Sequence, residues 1–457
     1  MLGRQQIAGL PTAISEIFKN AYDAYAQRVR ADFLRDLGSL IIRDDGQGMT
    51  NEQFVDRWLT LGTESKLEGN RPPAPIGRAM RTPLGEKGIG RLAMAAVGPN
   101  VLVVTRSNTG PTTAAFVSWR LFELPGINLD EIPVAMIQLD APAPGPSQLL
   151  SLINETAQFA ESIAERIPDA RGMATEIRSF PLGVLDRVQH LGPPQYSAGE
   201  SGTLFLVSPT DQTLEADLVD TEGEPSHLVK MLIGFTNPLE ATPDFQVTFW
   251  DRGVDGTAEE LIGPAGFWSD DDLKSADHEI DGTFDQLGSF AGTVRIYGEV
   301  VDHSWTQRGR VSRTKCGPFR IRFGVMQGAQ RESPLPPDRW ALLIRKAERI
   351  GGLYIYRNGV RILPYGNNDY DFLDIERNRS KGASYYFFSY RRMFGYVSLN
   401  TVDNRALTEK AGREGFQENA AFREFQSILK AFLVGSPLIS FDREGNRLTT
   451  TSNVVRS

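Results

Sequence analysis

Two stretches of the chain bring together side chains whose types and spacing suit chemistry. In residues 11–28, PTAISEIFKNAYDAYAQR, Glu16 and Asn20 stand four apart, so on a helix both leave the same face. Asp23 and Ala24 follow one turn on. A carboxylate and a carboxamide so placed can handle a proton or a cation, although on helices in general such a pair is most often only a solvated face. The second stretch, LIIRDDGQGM at residues 40–49, changes that balance. An apolar strand runs straight into the acidic pair Asp44 and Asp45 and then Gly46 and Gly48, the composition of a place where backbone must approach a ligand closely.

The elements that must hold these groups are read from periodicity. Pro11 suits a first helical turn, and Ile14, Phe18, Ala21 and Tyr25 recur at helical spacing away from Glu16 and Asn20, which predicts a helix over 11–28. Residues 29–35 and 39–43 read as strands joined by a short turn at Leu37-Gly38. Thr50 suits a helix cap, with Phe54, Val55, Trp58 and Leu59 on one face of the helix it starts. Residues 62–90 are rich in Gly, Pro, Lys and Arg without a sustained period, a length of loop that is usually functional or disordered. Gly88-Ile-Gly90-Arg-Leu-Ala93 matches a dinucleotide fingerprint, but no buried strand precedes it and no acidic residue follows between Arg91 and Arg120, so that reading is rejected. The chain also has no phosphate-binding G-x-x-x-x-G-K-[ST] loop.

Together these stretches resemble the nucleotide site of the GHKL superfamily (gyrase, heat-shock chaperone, histidine kinase, MutL), in segments that keep the family order. E-x-x-x-N-A-x-D-A from Glu16 to Ala24 resembles the N-box, and D-D-G-x-G-M from Asp44 to Met49 the first glycine box. Leu61-Gly-Thr-Glu-Ser-Lys66 and Gly85-Glu-Lys-Gly-Ile-Gly90 look like the lid and the second glycine box, with Gly88, Ile89 and Gly90 closing the latter. Gly202-Thr203, opening the apolar run Leu204-Phe-Leu-Val207, resembles the last nucleotide motif. The resemblance implies ATP and Mg2+ as cofactors. Glu16 would orient the attacking water as the catalytic base, and Asn20 would complete the Mg2+ shell with a neutral amide oxygen. Asp44 would accept from the exocyclic amine of adenine, assisted by Thr203, with Asp45 beside it structural or solvent-facing. Gly46 and Gly48 would let the chain pass close to the base. Thr63, Lys66 and Lys87 would face the phosphates from the lid, although for Lys87 a plain exposed lysine fits equally well. The helix following Gly90 would offer its free N–H groups to phosphate.

Length and composition bound the rest. At 457 residues the chain holds two or three domains, and 40 % apolar with 23 % charged residues is ordinary for a soluble globular protein. No run approaches the roughly 18 apolar residues that a membrane span needs, and no basic-plus-apolar leader opens the chain. Cys316 is the single cysteine and the four histidines are scattered, which removes internal disulfides and histidine-based metal spacing and fits a cytoplasmic setting. A net charge of −8 argues against a chain coated for nucleic acid, though not against a local basic groove.

The expected architecture is α+β. A GHKL (Bergerat-type) α/β sandwich over 1–255 carries a lid at 62–90 and a helical insertion at 141–200, since Gly202-Thr203 must return to the same sheet. In the insertion a Pro-rich joint at 141–146 leads to a helix over 148–167 with Leu149, Ile153, Phe159, Ile163 and Ile167 on its apolar face. Strands at 101–106, 112–119 and 245–250 and a helix at 226–235 complete this domain. A second α/β domain over 256–440 resembles the family's transducer, followed by a polar tail at 441–457. Its predicted strands lie at 293–297, 319–323, 352–357 and 394–400, with a hairpin turn at Asn358-Gly359. Helices are predicted at 339–350, capped by Asp338, and at 419–434 with Phe422, Phe425, Leu429 and Phe432 inward.

Residues 402–419 resemble the middle-domain catalytic loop of HtpG-type chaperones, which would make Arg413 and Gln417 contacts to the γ-phosphate, although Lys410 stands where that family has asparagine. The second glycine box resembles HtpG-type chaperones and MORC-type clamps more than MutL. A histidine kinase would need a phosphoacceptor helix pair ahead of the N-box, and the chain places only fifteen residues before Glu16. Two function classes follow: an ATP-driven clamp that dimerises and acts on DNA, or a chaperone acting on protein clients. The basic clusters Arg308/Arg310/Arg313/Lys315 and Arg377/Arg379/Lys381 with Arg391/Arg392 lean toward DNA, with solvated faces the plainer account of each.

Overall fold

The structure, a computed structural model, describes residues 9–59, 74–75, 80–84, 90–195, 200–221, 224–240, 245–307, 309, 312–381, 389–410 and 415–435. The chain divides into two units, Met1–Phe267 and Trp268–Ser457.

The first unit opens with helix α1 (Leu10–Asp23), which has Pro11 in its first turn and buries Ile14, Phe18 and Ala21. It ends earlier than its periodicity predicts. Tyr25 adopts φ +60° and Ala26 N–H donates back to Ala21 O at 3.0 Å, a left-handed stop that still leaves the Tyr25 ring buried. Strands β1 (Arg28–Leu34) and β2 (Ser39–Asp44) pair antiparallel around Gly38, whose φ of +53° makes the turn. Thr50 caps α2 (Asn51–Gln53), as its sequence suggests, and the structure adds a reciprocal bond from Thr50 N–H to the Gln53 side chain. The chain then continues as a π-helix, Phe54–Leu59. That wider winding breaks the expected apolar face, because Phe54 is buried and stacks on Trp58 while Val55 is 39 % exposed.

Helix α3 (Gly90–Val97) leads into β3 (Asn100–Arg106), β4 (Thr112–Ser118) and β5 (Ala135–Leu139). Helices α4 (Pro146–Ile163), α5 (Asp169–Arg178) and α6 (Val184–Val188) follow before β6 (Gly202–Val207) inserts between β3 and β2. After α7 (Thr213–Asp217) and α8 (His227–Leu232), capped by Ser226, β7 (Gln246–Arg252) runs parallel to β1. β8 (Ala258–Ile262) pairs with β7, so the sheet edge lies past residue 255. The eight-stranded order is β5-β4-β3-β6-β2-β1-β7-β8.

Leu149, Leu152, Ile153, Ala157 and Ala160 of α4 pack with Ile41, Leu102, Val104, Phe116 and Leu204 as one core. Arg43, wholly buried on that face of the sheet, ties the segment after α6 to it, donating to Gly192 O (2.9 Å) and Pro194 O (2.8 Å). Its other nitrogen reaches Asp32 at 2.9 Å, and Arg30 and Arg252 hold the same carboxylate.

The second unit contains α9 (Asp270–Ser275), β9 (His278–Phe284), β10 (Phe290–Ile296), β11 (Glu299–Trp305), β12 (Phe319–Val325), α10 (Pro337–Ile350), β13 (Gly352–Arg357), β14 (Val360–Arg361), α11 (Ile375–Lys381), β15 (Met393–Leu399) and α12 (Ala420–Gly435). Its sheet runs β11-β10-β9-β12-β15-β13-β14. Asn358 and Gly359, both with positive φ, turn β13 into β14 as the Asn-Gly signal predicts. Phe422, Phe425, Leu429 and Phe432 of α12 enter the core against Phe319 and Ile321. Asn419 caps that helix by accepting from Phe422 N–H at 2.9 Å. Asp338 does not cap α10: Pro336 and Pro337 start the helix two residues earlier, which puts Asp338 in its first turn. Strands β9 and β11 carry charged or polar residues at most outward positions, and their short apolar runs fall below the predicted set.

Candidate functional site

Side chains alternate across a strand, so the residues next to Arg43 and Leu204 face away from the insertion helices. Asp44, Thr203 and Thr105 are those residues, and pairing register sets them side by side: Asp44 opposite Thr203, and Thr203 opposite Thr105. All three are buried. Asp44 Oδ1 accepts from Gly46 N–H at 2.9 Å. Burial pushes its carboxyl up to about 7 against the N–H groups of Gly46 and Thr203, which favour the ionised form, while neighbouring Asp45 adds to the rise. Asp45 itself is engaged structurally, one oxygen accepting from both Gln27 N–H and Arg28 N–H at 2.7 Å.

The glycine loop is moulded on protein as much as on any ligand. A Cβ on Gly46 would lie 2.9 Å from Ala24 O, and Gln47 N–H donates to that same carbonyl at 2.8 Å. Gly48 has φ +61°, and a Cβ there would fall 1.9 Å from Arg106 O. Met49 N–H donates to Thr105 Oγ1 at 3.0 Å, so the end of the loop is anchored on the Asp44 row. Ser201 Oγ donates to Gly46 O at 2.7 Å from the start of the last motif.

Helix α1 brings its end to the same loop through Ala24. Asp23 accepts from Leu84 N–H at 2.8 Å, and Arg81 donates to Tyr22 O (3.0 Å) and Ala26 O (2.7 Å) while lying over the Tyr22 ring. The chain just ahead of the second glycine box is thereby fastened to the C-terminal carbonyls of α1. Glu16 is buried one turn before the half-buried Asn20 and is ion-paired to Lys19 at 3.2 Å. Gly90 opens α3, which packs beside α1. Thr63, Lys66, Gly85, Lys87, Gly88, Ile89 and Arg413 lie outside the described residues. Gln417 is exposed in the second unit, where its side-chain amide donates to Glu409 O at 3.2 Å.

Thr105, Lys19 and Arg81 were not singled out by sequence reasoning. Thr105 had one faint signal, a lone hydroxyl between the apolar run Val101–Val104 and Arg106. Lys19 and Arg81 had none, since a lysine in a helix and an arginine in a long loop are ordinary surface residues.

Residues 9–139 match a protein family described as histidine kinase-, DNA gyrase B-, and HSP90-like ATPase. The N-terminal unit therefore holds a GHKL-superfamily ATPase domain of α+β type, followed by a second α/β region. No curated protein matches the chain. A crystal structure of the N-terminal domain of a DNA repair protein is similar at 12 % identity and a TM-score of 0.45, over 94 % of this chain and 95 % of that one. Among the described residues no helix is long and apolar enough to cross a membrane.

Proposed function

We propose that the chain binds Mg·ATP in its N-terminal unit and hydrolyses it, and that the nucleotide cycle works a dimerising, MORC-like clamp on DNA. The observation that carries the nucleotide reading is Asp44: a buried carboxylate in register with Thr203, held by N–H donors at the mouth of a glycine loop. Ionised, it accepts from an exocyclic amine, which adenine has at the position where guanine has a carbonyl.

The residues present fit Mg2+ as phosphate-borne cargo. Among the described residues no group of three or more His, Cys, Asp or Glu side chains is arranged to hold a metal ion, whereas Asn20 offers one neutral oxygen. Mg2+ is commonly held that way, with phosphate and water oxygens supplying most of its shell. When bound, the ion takes up phosphate charge. Glu16 orients the attacking water and accepts its proton, while the lid residues Thr63, Lys66 and Lys87 are assigned to the phosphates by the resemblance alone.

Calorimetry and turnover test this reading. Wild-type protein should bind Mg·ATP, and Asp44→Asn should remain folded without binding it; unchanged affinity in that variant overturns the site. Glu16→Ala should bind Mg·ATP, hydrolyse it about 10²–10⁴-fold more slowly, and accumulate as an ATP-bound dimer by light scattering. A monomer at every concentration overturns the clamp.

The case for DNA rests on exposed Arg313 and Lys315. The second reading is an HtpG-like chaperone acting on protein clients, for which DNA contact at the second basic cluster is not needed. Asp374 and Glu376 pair with Arg377 and Arg379, which lowers that cluster's pull on phosphate. Turnover stimulated by DNA and falling steeply with salt supports the clamp; stimulation by unfolded protein alone supports the chaperone.

A further inference from the structure

Lys19 lies on α1 between Glu16 and Asn20 and is as enclosed as the carboxylate it meets. Its Nζ is 3.2 Å from Glu16 Oε1, and both side chains are 7 % exposed. Lysine is almost never buried without a partner, and among the described residues Glu16 is the one hydrogen-bonding partner of this one. The spacing of three with glutamate first brings two helical side chains together in the favourable order. A pair at the surface would be screened and would contribute little, but this one is sheltered from solvent ions.

Resting on the ATPase reading above, we infer that Lys19 is a positioning residue for Glu16. A glutamate carboxyl turns through a broad terminal torsion, so an unheld carboxylate samples many directions. With one oxygen committed to the Lys19 ammonium, the carboxylate plane is set before substrate arrives. The direction from which Glu16 takes a proton is set with it. A purely structural ion pair makes a different prediction: its loss lowers stability and leaves the turnover of folded protein unchanged.

The test compares K19M, K19R, E16Q and E16Q/K19M for melting temperature, Mg·ATP affinity and turnover. K19M should bind Mg·ATP within about threefold of wild type while kcat falls about 10–100-fold, the size of a misplaced reacting group. K19R should recover part of the loss. E16Q/K19M should be no slower than E16Q, because a residue that acts only through another adds nothing once that partner is gone. Should K19M fail to fold, K19A, which likewise lacks a donor, is read the same way. The double variant against E16Q still decides the coupling. Unchanged kcat in folded K19M overturns the inference, and so does an equal loss in the E16Q background, which would place Lys19 on the phosphates instead. Wild-type protein that binds no Mg·ATP removes the ATPase reading and this inference together, whereas wild-type turnover matched by K19M removes this inference alone.

Discussion

Thr105 and Thr203 face each other across β3 and β6 with their hydroxyl oxygens 3.0 Å apart. Thr203 also sits opposite Asp44, and Thr105 accepts from Met49 N–H, so a sheet register and a loop end share one buried hydrogen-bonded row. The shape of the glycine loop is thus set by the same strands that carry the carboxylate.

Replacing Thr105 by valine keeps the volume and removes the acceptor for Met49 N–H. A buried donor left unpaired costs about 1–3 kcal/mol. Thr105→Val should therefore melt at lower temperature and bind Mg·ATP about tenfold more weakly, while Thr105→Ser stays near wild type. Equal affinity of the valine and serine variants by calorimetry would show that the loop holds its shape without this bond.

The raised carboxyl of Asp44 makes two pH dependences. Folded, it takes a proton near pH 7, against an ordinary value of 3.8 when unfolded, so between those values the folded state holds the extra proton. Its contribution to stability is therefore largest at acid pH and is lost as pH rises through about 7. On the proposed reading adenine recognition needs the ionised form, so ATP binding should expel a proton and weaken below about pH 7, by at most about tenfold per unit. Urea melts and calorimetry in buffers of different ionisation enthalpy read both effects. Both should flatten in a folded Asp44→Asn protein, where the nucleotide signal disappears as well.

Asp32 is wholly buried and accepts from Arg30, Arg43 and Arg252 at 3.0, 2.9 and 2.8 Å. Arg43→Met removes a partner of that carboxylate and two bonds to the carbonyls after α6, so a loss of about 3–5 kcal/mol is expected in a denaturant melt. A loss below about 1 kcal/mol would mean that Arg30 and Arg252 suffice.

Gly48→Ala meets two obstacles, a left-handed backbone and a carbonyl oxygen 1.9 Å from the new Cβ. Strain of about 1–3 kcal/mol follows from the backbone alone, and relief of the clash must move the loop off Arg106. The variant should lose most Mg·ATP affinity while the second unit keeps its melting transition. Wild-type affinity in Gly48→Ala would refute the close approach of the loop to β3.

What the sequence determined by itself was whatever depends on local pattern. The period of Ile14, Phe18 and Ala21 makes α1, Thr50 caps the next turn, Asn358-Gly359 makes a hairpin, and the aromatic spacing of α12 aims it inward. The order of the motifs carries the resemblance to the GHKL family, which sets the expected nucleotide site beside Asp44, where the carboxylate and two glycines fall in one short run. Tertiary structure decided the rest. The left-handed Tyr25 ends α1 five residues before its predicted end because the chain must turn into β1, and apolar period cannot register a turn whose ring stays buried. Strand β9 was invisible because charged and polar residues, among them Glu279 paired to Arg295 of β10, replace apolar residues on one of its faces. Thr105 becomes part of the Asp44 row only through pairing with β6, about a hundred residues away, and no local signal encodes which strand lies next to which.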